Sequence, residues 1–344
     1  MRTARIGGRT VGDGHPVFIS FEAGATHTGL DSAKALCRAA AEAGADAVKF
    51  QTVRAEDLMS SRDAQIEFET ARGKASESVY GALERRELGF DDWRRLKAYC
   101  DSLKLAFIST PSGPETVDLL AQIGAAAIKV SKSDVNHRVL IDYIARKGLP
   151  VILDGRERFE DVEQAARICE ARGLHDIVIM HCPSGYPAQH AGIHLRAIRH
   201  IREIFGYPVG YSDHSVGTAM NFAAIALGAN FIEKTITADR NTAAVEHYMS
   251  LEPHELKDFV KQVRAVEAAL GDPRIIFSSR VNAEHRRSVQ ARRAIAKGAV
   301  IALQDLDFRR PGTHIPADRY EDVVGRTALR EIAAGEFLDA ADFR

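Results

Sequence analysis

The chain has few cysteines and no cysteine pair of the kind that binds metal or forms a redox motif. Its 344 residues include four cysteines, which lie far apart and form no C-x-x-C pair. This spacing argues against a zinc ribbon or a disulfide framework and favours a reducing compartment. Long uninterrupted apolar runs are also missing, so the sequence predicts neither a secretory signal nor a membrane-spanning helix. We therefore expect a cytoplasmic protein.

The chain also has almost no net charge. It carries 46 Lys and Arg against 47 Asp and Glu, a formal net charge of −1. No global field would draw it to nucleic acid or to an anionic membrane, so we expect neither as a partner.

Short apolar runs alternate with longer amphipathic stretches through most of the chain. A strand–helix alternation repeated about eight times over roughly 250 residues is typical of a (β/α)8 TIM barrel, an α/β fold. A doubly wound open sheet is the alternative, although no G-x-G-x-x-G follows the first run. The runs are VFISF (17–21), DAVKF (46–50), LAFIS (105–109), AAIKV (126–130), PVIL (150–153), DIVIM (176–180), PVGYS (208–212) and NFIE (230–233).

Two regions interrupt this alternation. Residues 54–90 form a polar insertion after the second run, which is either a functional lid or a solvated excursion. After residue 271 the pattern is replaced by short strands with Gly and Pro between them. The sequence therefore predicts a barrel domain (1–275), a linker (276–284) and a small β-rich domain (285–344).

Nearly every predicted strand ends in polar or ionisable residues. The chemistry of a TIM barrel lies where its strands deliver their last residues to one rim. Lys49, Lys129 and Lys234 would supply three ammonium groups suited to a phosphate or carboxylate, and acidic neighbours could transfer protons. A single residue of this kind more often has a structural role, but eight coincident strand ends favour a site. The residues are Glu22, Lys49, Gln51, Ser109, Lys129, Lys132, Asp154, Arg156, Ser184, Tyr186, Ser212, Asp213, His214, Glu233 and Lys234.

Several motifs occur in the order found in a known family. "FEAGATHTG" and "GADAVKFQT" are similar to E-I-G-x-N-H-x-G and G-A-D-A-V-K-F-Q. "HCPSGYPA", "GYSDHSVG" and "ALGANFIEKTIT" are similar to H-C-T-S-x-Y-P, G-Y-S-D-H-T-x-G and A-L-G-A-x-x-I-E-K-H-F-T. The chain thus resembles the sialic acid synthase (N-acetylneuraminate synthase) family, and its tail resembles the antifreeze-like (SAF) domain that ends these enzymes.

The resemblance implies a TIM barrel followed by the SAF domain, in a domain-swapped homodimer. It implies a transferase that condenses phosphoenolpyruvate with an amino-sugar or related aldose aldehyde. Carbon 3 of phosphoenolpyruvate attacks the aldehyde, water adds at carbon 2 and phosphate leaves. The product is a nonulosonic or other 2-keto-3-deoxy sugar acid. A divalent metal, Mn²⁺ or Mg²⁺, polarises the aldehyde in such enzymes, and no organic cofactor is expected.

The resemblance also suggests roles for particular residues. Lys49, Lys129 and Ser212 would hold phosphoenolpyruvate, and Tyr186 would line the same pocket. Arg310 would reach the partner subunit's site. The catalytic set implied is Glu22, Lys49, Lys129 and Asp213, and His214 is the expected metal ligand. The substrate-binding set is Gln51, Ser109, Lys132, Asp154, Arg156, Ser184, Tyr186, Ser212, Lys234, Glu246 and Arg310.

The chain departs from the family pattern at this same rim. Thr235 stands where the family has its second metal-binding histidine, and Thr is a poor ligand for manganese. Asp154-Gly155-Arg156 replaces a Ser-Thr-Gly segment whose serine would contact phosphate, and Glu246 replaces an aspartate. We therefore expect a non-standard sugar substrate and a weak or absent need for metal. The alternatives are a binding protein that has lost the chemistry, and an aldolase-type lyase that forms a Schiff base at Lys129 or Lys234.

Overall fold

The computed structural model describes residues 2–155, 158–271 and 283–344, and Arg156 lies outside them. The chain divides into two compact units, Met1–Gly271 and Asp272–Arg344. Most of the predicted linker, 276–284, also lies outside the described residues. Its limits therefore stay a prediction.

The larger unit is a closed barrel of eight parallel strands, so the predicted TIM barrel is confirmed. Two strands precede the barrel strands in the chain, and two more form a hairpin within the insertion. The barrel order is β10-β11-β12-β3-β4-β7-β8-β9, and the ring closes on itself. The strands are β1 (Ala4–Ile6), β2 (Arg9–Val11), β3 (Phe18–Glu22), β4 (Ala47–Thr52), β5 (Gln65–Thr70), β6 (Gly73–Ser78), β7 (Ala106–Pro111), β8 (Ala127–Val130), β9 (Val151–Asp154), β10 (Ile177–His181), β11 (Val209–Asp213) and β12 (Phe231–Thr235).

Amphipathic helices cover the outside of the barrel. In the first helix the buried residues Ala33, Leu36, Cys37 and Ala40 recur at the spacing of one helical face. That helix ends at Gly44, whose φ of 84° is the left-handed conformation that glycine adopts without strain. The helices are α1 (Leu30–Ala43), α2 (Ala55–Leu58), α3 (Val79–Glu84), α4 (Phe90–Ser102), α5 (Pro114–Gln122), α6 (Arg138–Ala145), α7 (Phe159–Ala171), α8 (Ala197–Phe205), α9 (Ala219–Ala226) and α10 (Pro253–Leu270).

The interior of the barrel has an apolar layer beneath a polar one. Ala4 and Ile6 of the β1–β2 hairpin are buried in one cluster with strand residues such as Phe18, Ile108 and Phe231. Because side chains alternate between the two faces of a strand, the later residues of the same inward set lie at the carboxyl ends. There they are polar, and they form the floor of a cavity.

Residues 54–90 fold against the loops above the barrel. Phe68 and Ala82 of this insertion are buried together with Val245. The backbone N–H of Glu69 donates to the Tyr186 carbonyl at 2.9 Å, and that of Val245 donates to a carboxylate oxygen of Glu77 at 2.9 Å. The insertion is therefore a folded cover, and the alternative of a solvated excursion is wrong.

The smaller unit has its own core. Its strands β13 (Ser288–Ala291) and β14 (Leu306–Arg309) pair antiparallel. Val289, Ile301, Leu306 and Leu338 are buried together beneath them. Among the described residues, no helix of either unit is both long enough and apolar enough to cross a membrane.

Candidate active site

A cavity of about 670 Å³ opens at the carboxyl ends of the barrel strands. Most of the residues that the sequence predicted for the site line this cavity. They come from six of the barrel strands and from the loops that follow them. Those that line it are Glu22, Lys49, Gln51, Lys129, Lys132, Asp154, Tyr186, Ser212, His214, Glu233 and Glu246.

Four buried charged groups form the centre of the cavity floor. Lys49 pairs with Glu22, its neighbour in strand register, and its Nζ lies 3.6 Å from a carboxylate oxygen of Glu233. The Lys129 Nζ lies 3.7 Å from the other oxygen of Glu233. Two ammonium groups from separate strands thus flank one carboxylate. The strand-end pattern predicted that Lys49 and Lys129 would lie close together in one cavity, and they do.

Ser212 and Cys182 complete the surroundings of these charges. The Ser212 hydroxyl donates to Glu233 at 2.7 Å, because the two residues are paired across β11 and β12. The Cys182 Sγ lies 4.0 Å from the Lys129 Nζ.

The charges in the cluster control one another's protonation. Burial by itself would raise the pKa of Glu233, but the ammonium groups of Lys129 and Lys49 lower it to about 2. Burial by itself would lower the pKa of Lys49, but Glu22 and Glu233 hold it above its usual range. Burial, with repulsion from Glu233, raises the pKa of Glu22 despite the nearby Lys49. Of the two carboxyl groups in the cluster, Glu22 is therefore the one that is more readily protonated.

Gly24, which follows β3, allows Glu22 to lie at this position. A Cβ at residue 24 would lie 2.5 Å from the Glu22 Oε1 and 2.6 Å from the backbone nitrogen of Gln51. Both distances are shorter than any van der Waals contact, so the close approach of the two chains requires glycine.

Lys234 and Asp213 differ from the prediction. Both are fully buried outside the cavity, where the Lys234 Nζ donates to Asp213 at 2.8 Å and to the Ser215 carbonyl at 2.6 Å. Asn221 also donates to Asp213, at 2.6 Å. The reason is the alternation of side chains along a strand: Glu233 points inward, so Lys234 points outward towards the helices. The expectation of a third ammonium group at the rim is corrected, and the catalytic role assigned to Asp213 has no geometric support.

Two other predicted site residues, Ser109 and Ser184, do not line the cavity. The Ser109 hydroxyl is buried against Thr52, 2.7 Å from its hydroxyl, and the next residue, Thr110, faces the cavity instead. Ser184 is exposed on a loop, and Thr235 is buried at the tip of β12. Arg310 belongs to the smaller unit, and its role stays a prediction.

The insertion contributes cavity residues that its sequence pattern did not indicate. Arg86, which follows α3, lines the cavity with 5 % of its surface exposed, and its Nη1 donates to Gln51 at 3.3 Å. Aliphatic side chains of the same insertion, such as Leu58 and Val79, also line the cavity. The polar composition of residues 54–90 concealed both, since sequence spacing does not show which face of an insertion turns inward.

Glu246 is a buried residue of the cavity lining with a constrained backbone. Its φ of 73° is in the left-handed region, which is uncommon for a residue other than glycine. Burial raises its pKa to about 7 against the opposing positive charges of Arg86 and Lys49, and the negative charges of Glu22 and Glu233 add to the rise.

This pKa gives a testable dependence of stability on pH. The folded-state pKa of Glu246 lies above its ordinary value of 4.5, so the folded chain binds more protons than the unfolded chain between about pH 4.5 and 7. The free energy of unfolding should therefore fall as pH rises through that window and level off above it. As pH rises from 4.5 to 8, we expect the free energy of unfolding of Glu246→Gln to increase by about 3 kcal/mol relative to that of the unmodified protein. Urea unfolding measures this difference. A constant difference between the two proteins across this range would contradict the assignment.

Among the described residues, those that line the cavity do not form the two-histidine metal site that the family resemblance implies. His214 lines the cavity, with its Nδ1 3.2 Å from the Pro183 carbonyl, but Thr235 supplies no imidazole and does not reach the cavity. The nearby carboxylate of Glu233 already interacts with two ammonium groups, which would repel a divalent cation. Within the described residues, the three-residue cluster with metal-ligand spacing is Glu252, His254 and Glu255, at the start of α10.

Comparisons with known proteins agree with this architecture. Residues 36–274 match the NeuB family and residues 286–344 match the SAF domain. An uncharacterised protein of Methanocaldococcus jannaschii is 36 % identical over 331 residues, which cover 95 % of this chain and 94 % of that protein. N,N'-diacetyllegionaminic acid synthase of Legionella pneumophila is 34 % identical over 330 residues, which cover 93 % of each chain.

A solved structure supports the same assignment. The N-acetylneuraminic acid (sialic acid) synthetase of Leptospira borgpetersenii, in complex with citrate, superposes with a TM-score of 0.70 at 29 % identity. The superposition covers 79 % of this chain and 91 % of that one. The barrel, the tail and the full-length similarity together confirm the resemblance found in the motifs. The chain therefore belongs to the NeuB family of sialic acid synthases and ends in a SAF domain.

Proposed function

We propose that this protein condenses phosphoenolpyruvate with an amino-sugar or related aldose aldehyde to give a nonulosonic acid, with release of phosphate. The observation that carries the proposal is the pair of ammonium groups, Lys49 and Lys129, on either side of Glu233 in one cavity. The names of the relatives from Legionella and Leptospira support a product of this class.

The geometry suggests how the anionic substrate would be held. Phosphoenolpyruvate carries a carboxylate and a phosphoryl group, which would take the ammonium groups of Lys49 and Lys129 from their present carboxylate partners. Lys132 lines the same cavity and Ser212 lies beside Glu233, so both are placed to add hydrogen bonds to the anion. Because these groups are buried, their interactions with the anion are stronger than they would be in water.

Glu22 is the proposed proton donor. As carbon 3 of phosphoenolpyruvate forms its bond with the aldehyde carbon, the aldehyde oxygen becomes an alkoxide and needs a proton. The raised pKa of Glu22 suits it to supply that proton. The resulting carboxylate would then accept the proton that water releases on adding at carbon 2. The carbon–oxygen bond to phosphate then breaks, and the proton of the new carbon 2 hydroxyl leaves with the phosphate as the keto acid forms. Gln51, which lines the cavity next along the inward face from Lys49, is placed to orient the sugar.

We further propose that the reaction has little or no dependence on a divalent metal. A bound metal would polarise the aldehyde in this family, but the donor set beside His214 lacks the second imidazole. Excess chelator is expected to change the rate of phosphate release from phosphoenolpyruvate and N-acetylmannosamine by less than about twofold, because a single imidazole is a weak site for a divalent metal. A complete loss of activity that Mn²⁺ restores would contradict this proposal.

The same assays separate the alternatives. A binding protein that has lost the chemistry would release no phosphate with any aldose. An aldolase-type lyase would be trapped by borohydride as a Schiff base on Lys129. The cytoplasmic location and the domain-swapped homodimer, in which Arg310 contacts the sugar in the partner's cavity, remain part of the proposal.

A further inference from the structure

Two of the four cysteines meet where helix α1 packs on helix α4. Cys37 lies on α1 and Cys100 on α4, and both are completely buried. Their Sγ atoms are 3.5 Å apart, which is van der Waals contact. The other two cysteines, Cys169 on α7 and Cys182 after β10, belong to different elements. The contact between the two thiols is a product of tertiary packing, since the residues are 63 positions apart in the chain.

The surroundings keep this pair of thiols protonated and reduced under ordinary conditions. The contact with the Cys100 thiol and burial raise the pKa of the Cys37 thiol. A protonated, buried thiol is a poor nucleophile, so the folded protein should react only slowly with oxidants. The same contact needs little movement to become a bond, because a disulfide of about 2 Å would draw the sulfurs closer by about 1.5 Å. The pair is therefore stable as thiols and placed to close when the two helices open transiently.

The segment between the two cysteines carries part of the candidate active site. Residues 37–100 include β4, which bears Lys49, and the whole of the insertion. Trp93 lies on the same buried face of α4 as Cys100. Its ring packs edge-to-face on Phe50 of β4, with the ring centroids 5.9 Å apart. A bond between α1 and α4 would therefore fix the helical layer directly behind β4.

We infer that Cys37 and Cys100 form a reversible disulfide bond when the thiol–disulfide balance around the protein becomes oxidising, and that this bond stabilises the barrel by holding α1 against α4. The inference concerns the helical layer of the barrel and does not depend on the proposed function.

The oxidant in this reaction is a small-molecule disulfide, for which oxidised glutathione is the probe. One protein thiolate attacks a sulfur of that disulfide, which gives a mixed disulfide and releases one glutathione thiolate. The second protein thiol loses its proton to solvent and attacks the protein sulfur of the mixed disulfide, and the second glutathione thiolate leaves. Two protein thiols are thus oxidised as one small disulfide is reduced to two thiols.

The first experiment asks whether the bond forms between these two residues. The full-length protein is equilibrated in glutathione buffers of increasing oxidation, starting either from the reduced folded protein or from reduced protein refolding out of urea. Each sample is quenched in acid, alkylated in denaturant and mapped by mass spectrometry. We expect the alkylated thiols to fall from four to two, with a cross-linked peptide pair that contains Cys37 and Cys100 and is released by dithiothreitol. Four alkylated thiols in every buffer from both starting points, a different cysteine pair, or a glutathione adduct that never resolves overturns the inference.

The second experiment asks whether the bond stabilises the fold. The bond closes a long loop in the unfolded chain, so the oxidised protein should melt about 5 °C or more above the reduced protein by circular dichroism. Cys37→Ala and Cys100→Ala should each abolish this shift. Because every variant is compared in its own oxidised and reduced forms, a loss of packing from the substitution cancels. The matched control is Cys169→Ala, which removes a buried thiol of α7 and should keep the shift. An equal shift in Cys37→Ala, or no shift in protein shown to carry the bond, refutes the stabilising role.

Discussion

Replacing Lys129 by methionine is expected to abolish measurable binding of phosphoenolpyruvate and to lower phosphate release by about a thousandfold or more. Lys129 is 4 % exposed and its ammonium group faces the cavity beside Glu233. Methionine keeps much of the length and apolar stem of lysine but removes the charge. The loss of one ammonium group leaves the buried anion with only part of its counter-charge.

The fold of the Lys129→Met variant should survive the change. Glu233 keeps Lys49 at 3.6 Å and the hydroxyl of Ser212 at 2.7 Å, so its carboxylate stays partnered. Binding is measured by calorimetric titration with phosphoenolpyruvate, and folding by circular dichroism. The matched control is Lys257→Met on the exposed surface of α10, which should behave as the unmodified protein does. Unaltered affinity in Lys129→Met would remove the basis of the proposed function.

Lys234→Met is expected to have the opposite profile, with a large loss of stability and no direct effect on the binding of phosphoenolpyruvate. The side chains of Lys234 and Asp213 are both wholly buried and bonded to each other at 2.8 Å. Removing the ammonium group leaves Asp213 as an uncompensated buried charge, which costs about 3–5 kcal/mol. Urea unfolding measures the loss, and titration with phosphoenolpyruvate at low temperature checks the site.

A double variant distinguishes loss of the pair from general damage to packing. In Lys234→Met with Asp213→Asn no charge remains unpaired, so the double variant should lose less stability than Lys234→Met alone. Equal or greater loss in the double variant would show that packing, rather than the orphaned carboxylate, governs the effect. Loss of phosphoenolpyruvate binding in a folded Lys234→Met protein would show that Lys234 contributes to the binding site after all.

The two lysines show that a strand-end pattern predicts which residues lie near the rim but not which of them face the cavity. Lys129 and Lys234 each lie near the end of a predicted strand, so the sequence predicts a place at the rim for both. They differ only in parity, since Lys129 is on the inward set of its strand and Lys234 follows the inward Glu233. For the same reason Thr110 faces the cavity in place of Ser109, the residue that the sequence predicted. The sequence shows that side chains alternate along each strand with a period of two. It does not show which alternate set points inward until one inward residue of that strand is known.

The insertion shows a different limit. Its composition is polar, yet Leu58, Val79 and Leu83 turn towards the cavity and Arg86 is almost completely buried. These residues acquire their roles through long-range contacts, such as the one between Ala82 and Val245. No local pattern in residues 54–90 encodes a contact with residue 245.

The sequence by itself determined the eightfold alternation, the barrel, the rim of polar strand ends and the family to which the chain belongs. These follow from local periodicity and from short motifs, which need no knowledge of distant contacts. Only the tertiary structure decided which of two adjacent charged residues enters the cavity, and that the insertion supplies an aliphatic wall and a buried guanidinium. The physical reason is that the inside and outside of a closed barrel are properties of the whole ring of strands, and are set by packing between residues far apart in the chain.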